Sequence, residues 1–317
     1  MSQAESNPFK YSNTNKRYHT YNYYLQRRFS EKCAKIPLDA GFTCPNIDGK
    51  CARGGCIYCL GGSGARLVSS LLPLEEQYRR GVMQIRKKWD VKKLIPYLQA
   101  YTNTYTYPEK LREILNTVSQ FEGAVMIDIA TRADCLEDGI IRVLDEMSEK
   151  IPITVELGLQ TSNDETAKLI NRGHDFAAFC QGFDRLRQGA PNVKIGVHII
   201  NGLPLETLED MKKTARSVAK LSPDLVKIHL LHVLKGTHLG HMYEGGEYTP
   251  MEREDYINLV CDQIELLPAE TVIERVTGDG IDSELLAPEW SKRKVTVIND
   301  IDKELYKRGT YQGIFYK

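Results

Sequence analysis

Short apolar runs alternate with longer amphipathic ones from residue 33 onward, and this rhythm restricts the chain to parallel strands joined by helical crossovers. Strand-like runs fall at 33–40, 94–101, 123–130, 151–159, 193–200 and 225–233. Helix-like runs fall at 74–90, 108–120, 136–149, 175–188 and 206–221. Parallel neighbours need a long return connection, and each helical run is long enough for one. The pattern predicts six βα units; it stops near residue 240, and a helix–strand–helix extension follows.

Alternation inside the strands chooses between an open sheet and a barrel. Ile153, Val155, Leu157 and Leu159 share one face, and Thr154, Glu156, Gly158 and Gln160 the other. Ile195, Val197 and Ile199 likewise oppose Lys194, Gly196 and His198, and Ile228 and Leu230 oppose Lys227 and His229. A parallel sheet covered by helices on both faces is apolar on both. One polar face therefore favours a barrel with a polar interior; an irregular open sheet with one exposed face is the alternative.

Hydrophobic residues make up 42% of the 317, enough for a sizeable core. Lys+Arg 42 balances Asp+Glu 42, which argues against a protein that coats nucleic acid non-specifically. The polar start of the chain shows no signal peptide, and no apolar run is long enough to span a membrane, so a cytoplasmic protein is expected. In that compartment clustered cysteines point to metal or redox chemistry rather than disulfides.

Four cysteines, Cys44, Cys51, Cys56 and Cys59, fall in one glycine-rich loop after the first strand. Soft thiolates gathered this way select zinc or an iron–sulfur cluster. All four fit a closed zinc site; alternatively three hold a [4Fe–4S] cluster and leave one iron open. A single C-x₂-C knuckle weakens zinc, because zinc ribbons favour two. Cys33, Cys135, Cys180 and Cys261 are scattered and read as packed thiols. His229, His232, His238 and His241 invite a second zinc reading, but His229 and His232 are placed on opposite faces of a strand, which argues against it.

The loop resembles that of radical S-adenosylmethionine (SAM) enzymes, which place an aromatic residue before the last cysteine, as Tyr58 is here. Its long first gap, Cys44-x₁₁-Cys56, is similar to that of the Elongator catalytic subunit's radical SAM half and, more closely, to the bacterial MnmL/YtqA and YhcC family. The resembling runs include Arg17-Tyr-His-Thr-Tyr-Asn-Tyr-Tyr-Leu25, Ile36-Pro-Leu-Asp-Ala-Gly-Phe-Thr-Cys-Pro-Asn46, Glu156-Leu-Gly-Leu-Gln160, Asn171-Arg-Gly-His174 and Ala287-Pro-Glu-Trp-Ser291. Cys51 departs from the family pattern. The resemblance implies a partial (β/α)₆ radical SAM barrel at 33–240, an N-terminal arm at 1–32 and a small α+β extension at 241–317. It implies a [4Fe–4S] cluster on Cys44, Cys56 and Cys59, and SAM beside it. Cofactor contacts are expected from Tyr58, Asn103, Thr104, Thr131, Arg132, Glu156, Gln160, Arg172 and His198. Purely structural roles stay open for several of these: a Glu156–Lys194 pair across adjacent strands, helix capping by Asn103 and Thr131, and a solvated Arg172.

Residues 9–35 are rich in tyrosine, lysine and arginine, which suits stacking on splayed bases and holding phosphates; a solvated surface is the plainer alternative. The resemblance tips this towards tRNA, with Arg17, Tyr21, Arg27 and Arg28 as candidate substrate contacts. It implies action on the wobble uridine, turning a 5-carboxymethylaminomethyl-(2-thio) side chain into 5-aminomethyl, with a one-electron donor such as flavodoxin or ferredoxin. A radical SAM enzyme of small metabolites or protein side chains, and a non-catalytic zinc-binding RNA-binding protein, are the other readings.

Overall fold

The computed structural model describes residues 7–60, 70–278 and 283–317, so two glycines of the loop's exit, Gly61 and Gly62, lie outside the described residues. In chain order the elements are helix α1 (Tyr21–Phe29), strand β1 (Cys33–Leu38), α2 (Pro45–Asp48), α3 (Leu74–Arg86), β2 (Lys93–Leu98), α4 (Pro108–Ser119), β3 (Ile127–Thr131), α5 (Asp138–Ser148), β4 (Ile153–Gln160), α6 (Asp164–Leu169), α7 (Phe176–Gly189), β5 (Lys194–Asn201), α8 (Leu208–Leu221), β6 (Leu225–Leu230), β7 (Val233–Leu234), α9 (His238–Glu244), α10 (Arg253–Leu266), β8 (Val272–Arg275), β9 (Leu285–Ala287) and α11 (Lys294–Arg308). The chain divides into two compact units, Arg28–His198 and Met1–Arg27 with Ile199–Lys317.

In the Arg28–His198 unit, β1 to β5 lie side by side in sequence order. From β1 to β4 the strands run parallel: Lys35 faces Ile95, Tyr97 faces Asp128, and Ala130 faces Glu156. Ile36, Ile129, Val155, Leu157 and Val197 supply the apolar face and are buried under the helices. The helices approach closely where glycine permits it. A Cβ on Gly81 of α3 would lie 2.5 Å from Ile36, and one on Gly182 of α7 2.1 Å from the Ala133 carbonyl. The other strand face carries Lys35, Tyr97, Asp128, Glu156 and His198, the polar lining that the alternation predicts.

In the other unit, β6 pairs in parallel with β8, Leu225 facing Val272 and Val226 facing Ile273. The rhythm thus runs one strand past the six units read from the sequence. The step was hidden because its crossover helix, α10, is buried on nearly every side, including Tyr256, Leu259, Val260 and Ile264, so no amphipathic stripe marks it. Residues 7–20 pack within this unit: Phe9 and Tyr18 are buried, Ile273 N–H donates to the His19 carbonyl at 2.7 Å, and Gln312 N–H donates to the Arg17 carbonyl at 2.9 Å. This segment caps the edge of β8, which an unpaired strand requires. His229 and His232 do not diverge as the strand period suggested. β6 ends at Leu230, and both rings approach Gly278, whose Cβ would lie 3.3 Å from His232 and 3.8 Å from His229. Among the described residues no helix is long and apolar enough to cross a membrane.

Candidate active site

The cysteine loop leaves the C-terminal end of β1. Cys44 stands at the head of the one-turn helix α2, its carbonyl accepting from Ile47 N–H at 2.8 Å and Asp48 N–H at 3.1 Å. Gly54 and Gly55 adopt left-handed φ of 82° and 79°, which turns the chain back sharply. Cys59 N–H then donates to the Cys56 carbonyl at 2.9 Å, closing the C-x₂-C pair into one turn. None of the eight cysteines forms a disulfide, and Cys44, Cys56 and Cys59 are half-buried. Cys51 is exposed, its sulfur 3.8 Å from an Asp134 carboxylate oxygen.

A second loop, Asn171 to His174, clasps the first. Asn171 Nδ2 donates to the Arg53 and Gly55 carbonyls at 3.0 and 2.7 Å, and Ile57 N–H donates to the Ile170 carbonyl at 3.1 Å. The carbonyl of Arg172 is the common anchor. It accepts from Asn46 Nδ2 at 2.9 Å and from Arg132 Nη1 at 2.9 Å. The same Asn46 amide lies 3.5 Å from Cys56 Sγ, while the charge of Cys44 acts on Arg132. Arg132 also forks onto Asp134 at 2.9 and 2.8 Å. Burial works against the Arg132 charge, and Asp134 more than offsets it, so the guanidinium is held protonated. Its donors serve the loop, which makes Arg132 a brace. Asn46, absent from the sequence-derived set, has the same duty; its place two residues after Cys44 was the available signal.

Gln160 and Arg172 are brought together at the end of β4. A Cβ on Gly158 would meet Gln160 Nε2 at 2.7 Å and Arg172 Nη2 at 2.9 Å. Arg172 Nη2 donates to the Gly158 carbonyl, so Arg172 is a buried residue and not a solvated helix one. Gln160 sits at φ 79°, a strained backbone for a side chain with a Cβ. The Tyr58 hydroxyl is buried, pushed well above its ordinary pKa by that burial and then by Cys56, with Arg172 opposing. His174 is held down at about 4, by burial first and then by the Arg172 charge. It is therefore neutral, with Nδ1–H donating to the Asp175 carbonyl at 3.1 Å.

At the ends of β2 and β3 the polar groups satisfy one another. Asn103 Nδ2 donates to the carbonyls of Leu98, Ala100 and Ala130 at 3.0, 3.1 and 2.9 Å. Thr104 donates to the Cys135 carbonyl at 2.6 Å and meets the Thr131 hydroxyl at 2.6 Å. With its one proton given to Cys135, Thr104 accepts from Thr131. Both hydroxyls are thus used in fixing the strand ends, and neither Asn103 nor Thr131 caps a helix with its side chain.

Deeper on the inner face, Glu156 binds Lys35 Nζ at 2.7 Å, Tyr97 Oη at 2.6 Å and His198 Nε2 at 3.0 Å. Lys35 also meets Asp128 at 2.6 Å. Lys35 therefore belongs to the strand interior and not to the basic arm. Where the sequence suggested Lys194 as the cation beside Glu156, the structure puts Lys35 there, held from a strand far earlier in the chain. Lys35, Tyr97 and Asp128 were not singled out from the sequence; one polar side chain at an inward position on each successive strand is the signal that marks them.

The arm residues separate into two kinds. Arg17 is 8% exposed, donates to the Thr310 carbonyl at 3.2 Å and lies over the Tyr306 ring at 5.0 Å. It is a packing residue. Tyr21 stacks on Tyr24 with ring centres 6.1 Å apart. Arg27 and Arg28 are exposed.

The groups around the cysteine loop fit the expected cofactors. Three soft thiols on a tight, braced loop suit an iron–sulfur cluster. Buried polar atoms without a partner among the described residues include Arg172 Nε, a donor, and Asn103 Oδ1 and His174 Nε2, both acceptors. Such atoms are costly unless a ligand completes them, and the carboxylate and ammonium of an amino-acid moiety are complementary to them.

Residues 46–218 match the family model of the radical SAM superfamily, and residues 223–307 that of the Radical_SAM C-terminal domain. The chain is 45% identical over 314 residues to the uncharacterized protein YtqA of Bacillus subtilis, covering 99% of this chain and 97% of that one. It is 32% identical to YhcC of Escherichia coli K12, covering 90% and 91%. Over 160 residues it is 30% identical to the tRNA uridine(34) acetyltransferase of Methanocaldococcus infernus, covering 49% of this chain and 29% of the relative. Among solved structures, Methanocaldococcus infernus Elp3 with an N-terminal deletion superimposes with a TM-score of 0.65 at 19% identity, covering 88% of this chain and 64% of that one. That likeness gives the fold: an α/β partial barrel.

Proposed function

The chain belongs to the radical SAM superfamily, whose enzymes use a [4Fe–4S] cluster and SAM, and from that premise we propose that it modifies the wobble uridine of tRNA. The observation that carries this reading is the similarity to tRNA uridine(34) acetyltransferases over 49% of the chain. The reaction we assign is conversion of 5-carboxymethylaminomethyl-(2-thio)uridine to the 5-aminomethyl form.

In this reading Cys44, Cys56 and Cys59 hold the cluster, and Cys51 stands outside the ligand set. Arg172 and Gln160 receive SAM, with Asn103 offering its unused oxygen to the ammonium. Thr104, Thr131 and Arg132 hold these groups in place, and Tyr58 closes the loop against Arg172. When bound, the cofactors supply a 5′-deoxyadenosyl radical by one-electron cleavage of the sulfonium. On the substrate, the methylene between nitrogen and carboxylate loses one hydrogen atom to that radical. One electron then passes to a carrier of the flavodoxin or ferredoxin class and one proton to solvent. Water splits the resulting imine into the aminomethyl group and glyoxylate. Exposed Arg27 and Arg28 suit the phosphates of an anticodon loop.

Gly158→Ala should raise the SAM dissociation constant roughly tenfold, because the added methyl displaces both Gln160 and Arg172 from a site that depends on their placement. Iron content should be unchanged; unaltered SAM binding would remove the two residues from the site. For the function itself, nucleoside mass spectrometry of tRNA from a deletion strain should show carboxymethylaminomethyl uridine accumulating and aminomethyl derivatives falling. Binding of tRNA by the purified protein should weaken with salt. An unchanged nucleoside profile, in an organism with no second enzyme for the step, would falsify the tRNA reading and favour a small-metabolite or protein substrate.

A further inference from the structure

The inner cluster of Lys35, Tyr97, Asp128, Glu156 and His198 has a task of its own. Glu156, Gly158 and Gln160 share one strand face, so successive members are about 7 Å apart. The cluster therefore lies one layer deeper in the Arg28–His198 unit than the Gly158 carbonyl that Arg172 grips. We infer that Lys35 and His198 form a seat for a carboxylate group of the substrate. This deepens the reading above and rests on it only for the source of the carboxylate.

Exposure separates the cations from the anions. The Lys35 and His198 side chains are 19% and 16% exposed, and the Asp128 and Glu156 side chains are 0% exposed. What the cluster presents is thus an ammonium and an imidazole, with both anions behind them. Asp128 and one oxygen of Glu156 grip Lys35 from two strands, at 2.6 and 2.7 Å. The other Glu156 oxygen fixes Tyr97 and His198, at 2.6 and 3.0 Å. The desolvation of the cations is offset before a ligand arrives, and their positions are set from behind. A network of this kind is a poor way to stabilise a barrel interior, because apolar side chains of the same volume serve as well or better. With His198 protonated the four charged groups sum to zero, which suits a singly charged carboxylate better than a dianionic phosphate.

The test measures discrimination. Anaerobically reconstituted protein is given tRNA carrying the carboxymethylaminomethyl uridine, the same tRNA with that carboxylate as its methyl ester, and, separately, free α-amino acids. Each is scored for binding and for stimulated formation of 5′-deoxyadenosine. Wild type should prefer the free carboxylate over the ester by roughly 10- to 100-fold, the worth of a hydrogen bond to a charged group. Lys35→Gln and His198→Gln should each lose most of that preference, and Lys35→Arg should keep part of it. Iron content and thermal midpoint check folding; His198→Gln leaves the buried carboxylates their Lys35 partner and stands in should Lys35→Gln misfold. If tRNA is turned over and the variants discriminate like wild type, the inference is overturned and the wobble-uridine reading stands. If only free amino acids stimulate, and the variants abolish this, the reading falls and the seat remains. Stimulation by neither class overturns the seat.

Discussion

Cys44→Ala, Cys56→Ala and Cys59→Ala are each expected to give colourless protein with no SAM cleavage, while Cys51→Ala stays brown. Wild type, reconstituted without oxygen, should carry about four irons per chain, the content of one [4Fe–4S] cluster. The three variants lose a ligand without losing the loop. The turn at Cys44 is made by its carbonyl, and the turn from Cys56 to Cys59 is carbonyl to N–H, so alanine preserves both. Loss of iron in these proteins therefore reports the thiols. Cys51 is exposed and its sulfur faces a carboxylate of Asp134 at 3.8 Å, a poor setting for a thiolate ligand. Iron and sulfide analysis with visible absorption checks all four. Stoichiometric zinc in colourless wild type, or loss of the cluster with Cys51→Ala, would overturn this assignment.

Arg172→Ala should raise the dissociation constant for SAM by about 100-fold, the upper end for removing a buried charge-assisted hydrogen bond. Iron loading should be unaltered, for a specific reason. The group that ties the two loops together is the main-chain carbonyl of Arg172, which accepts from Asn46 and Arg132 and which alanine keeps. The side chain acts separately, through a guanidinium bonded to the Gly158 carbonyl and an Nε–H with no partner among the described residues. Arg172→Lys retains the charge without the planar fork and should recover only part of the affinity. Equilibrium SAM binding on iron-loaded protein decides it. Binding within about twofold of wild type, under a tenth of the loss a charge-assisted bond predicts, would show that Arg172 does not meet SAM.

The cysteine loop and the strand–helix rhythm were legible because both are local: spacing marks the one and hydrophobic period the other. The inward polar face of β4 was legible for the same reason. What was hidden depended on partners distant in the chain. Arg17 looked like a substrate contact because Tyr306 and Thr310, which bury it, lie at the far end of the sequence. Lys35 looked like one more cation of a basic stretch because Asp128 and Glu156, which grip it, sit on strands much later in the chain. The four-residue β8 and the almost wholly buried α10 gave no period to read. His229 and His232 were assigned to opposite faces by a count that ran past the end of the strand.

One compact unit is continuous in the chain, Arg28–His198, and the other joins Met1–Arg27 to Ile199–Lys317. During synthesis the two meet different delays. All three thiols assigned to the cluster, with Asn46, Arg132, Gln160 and Arg172, leave the ribosome inside the continuous unit. That unit has its full set of internal contacts available while the rest is still being translated. The segment 7–20 must wait, because its partners Ile273, Thr310 and Gln312 are made last. Iron–sulfur delivery thus has a window on a nascent chain whose cysteine loop is already built, and truncation just short of Gln312 leaves the β8 edge open for chain-to-chain strand pairing.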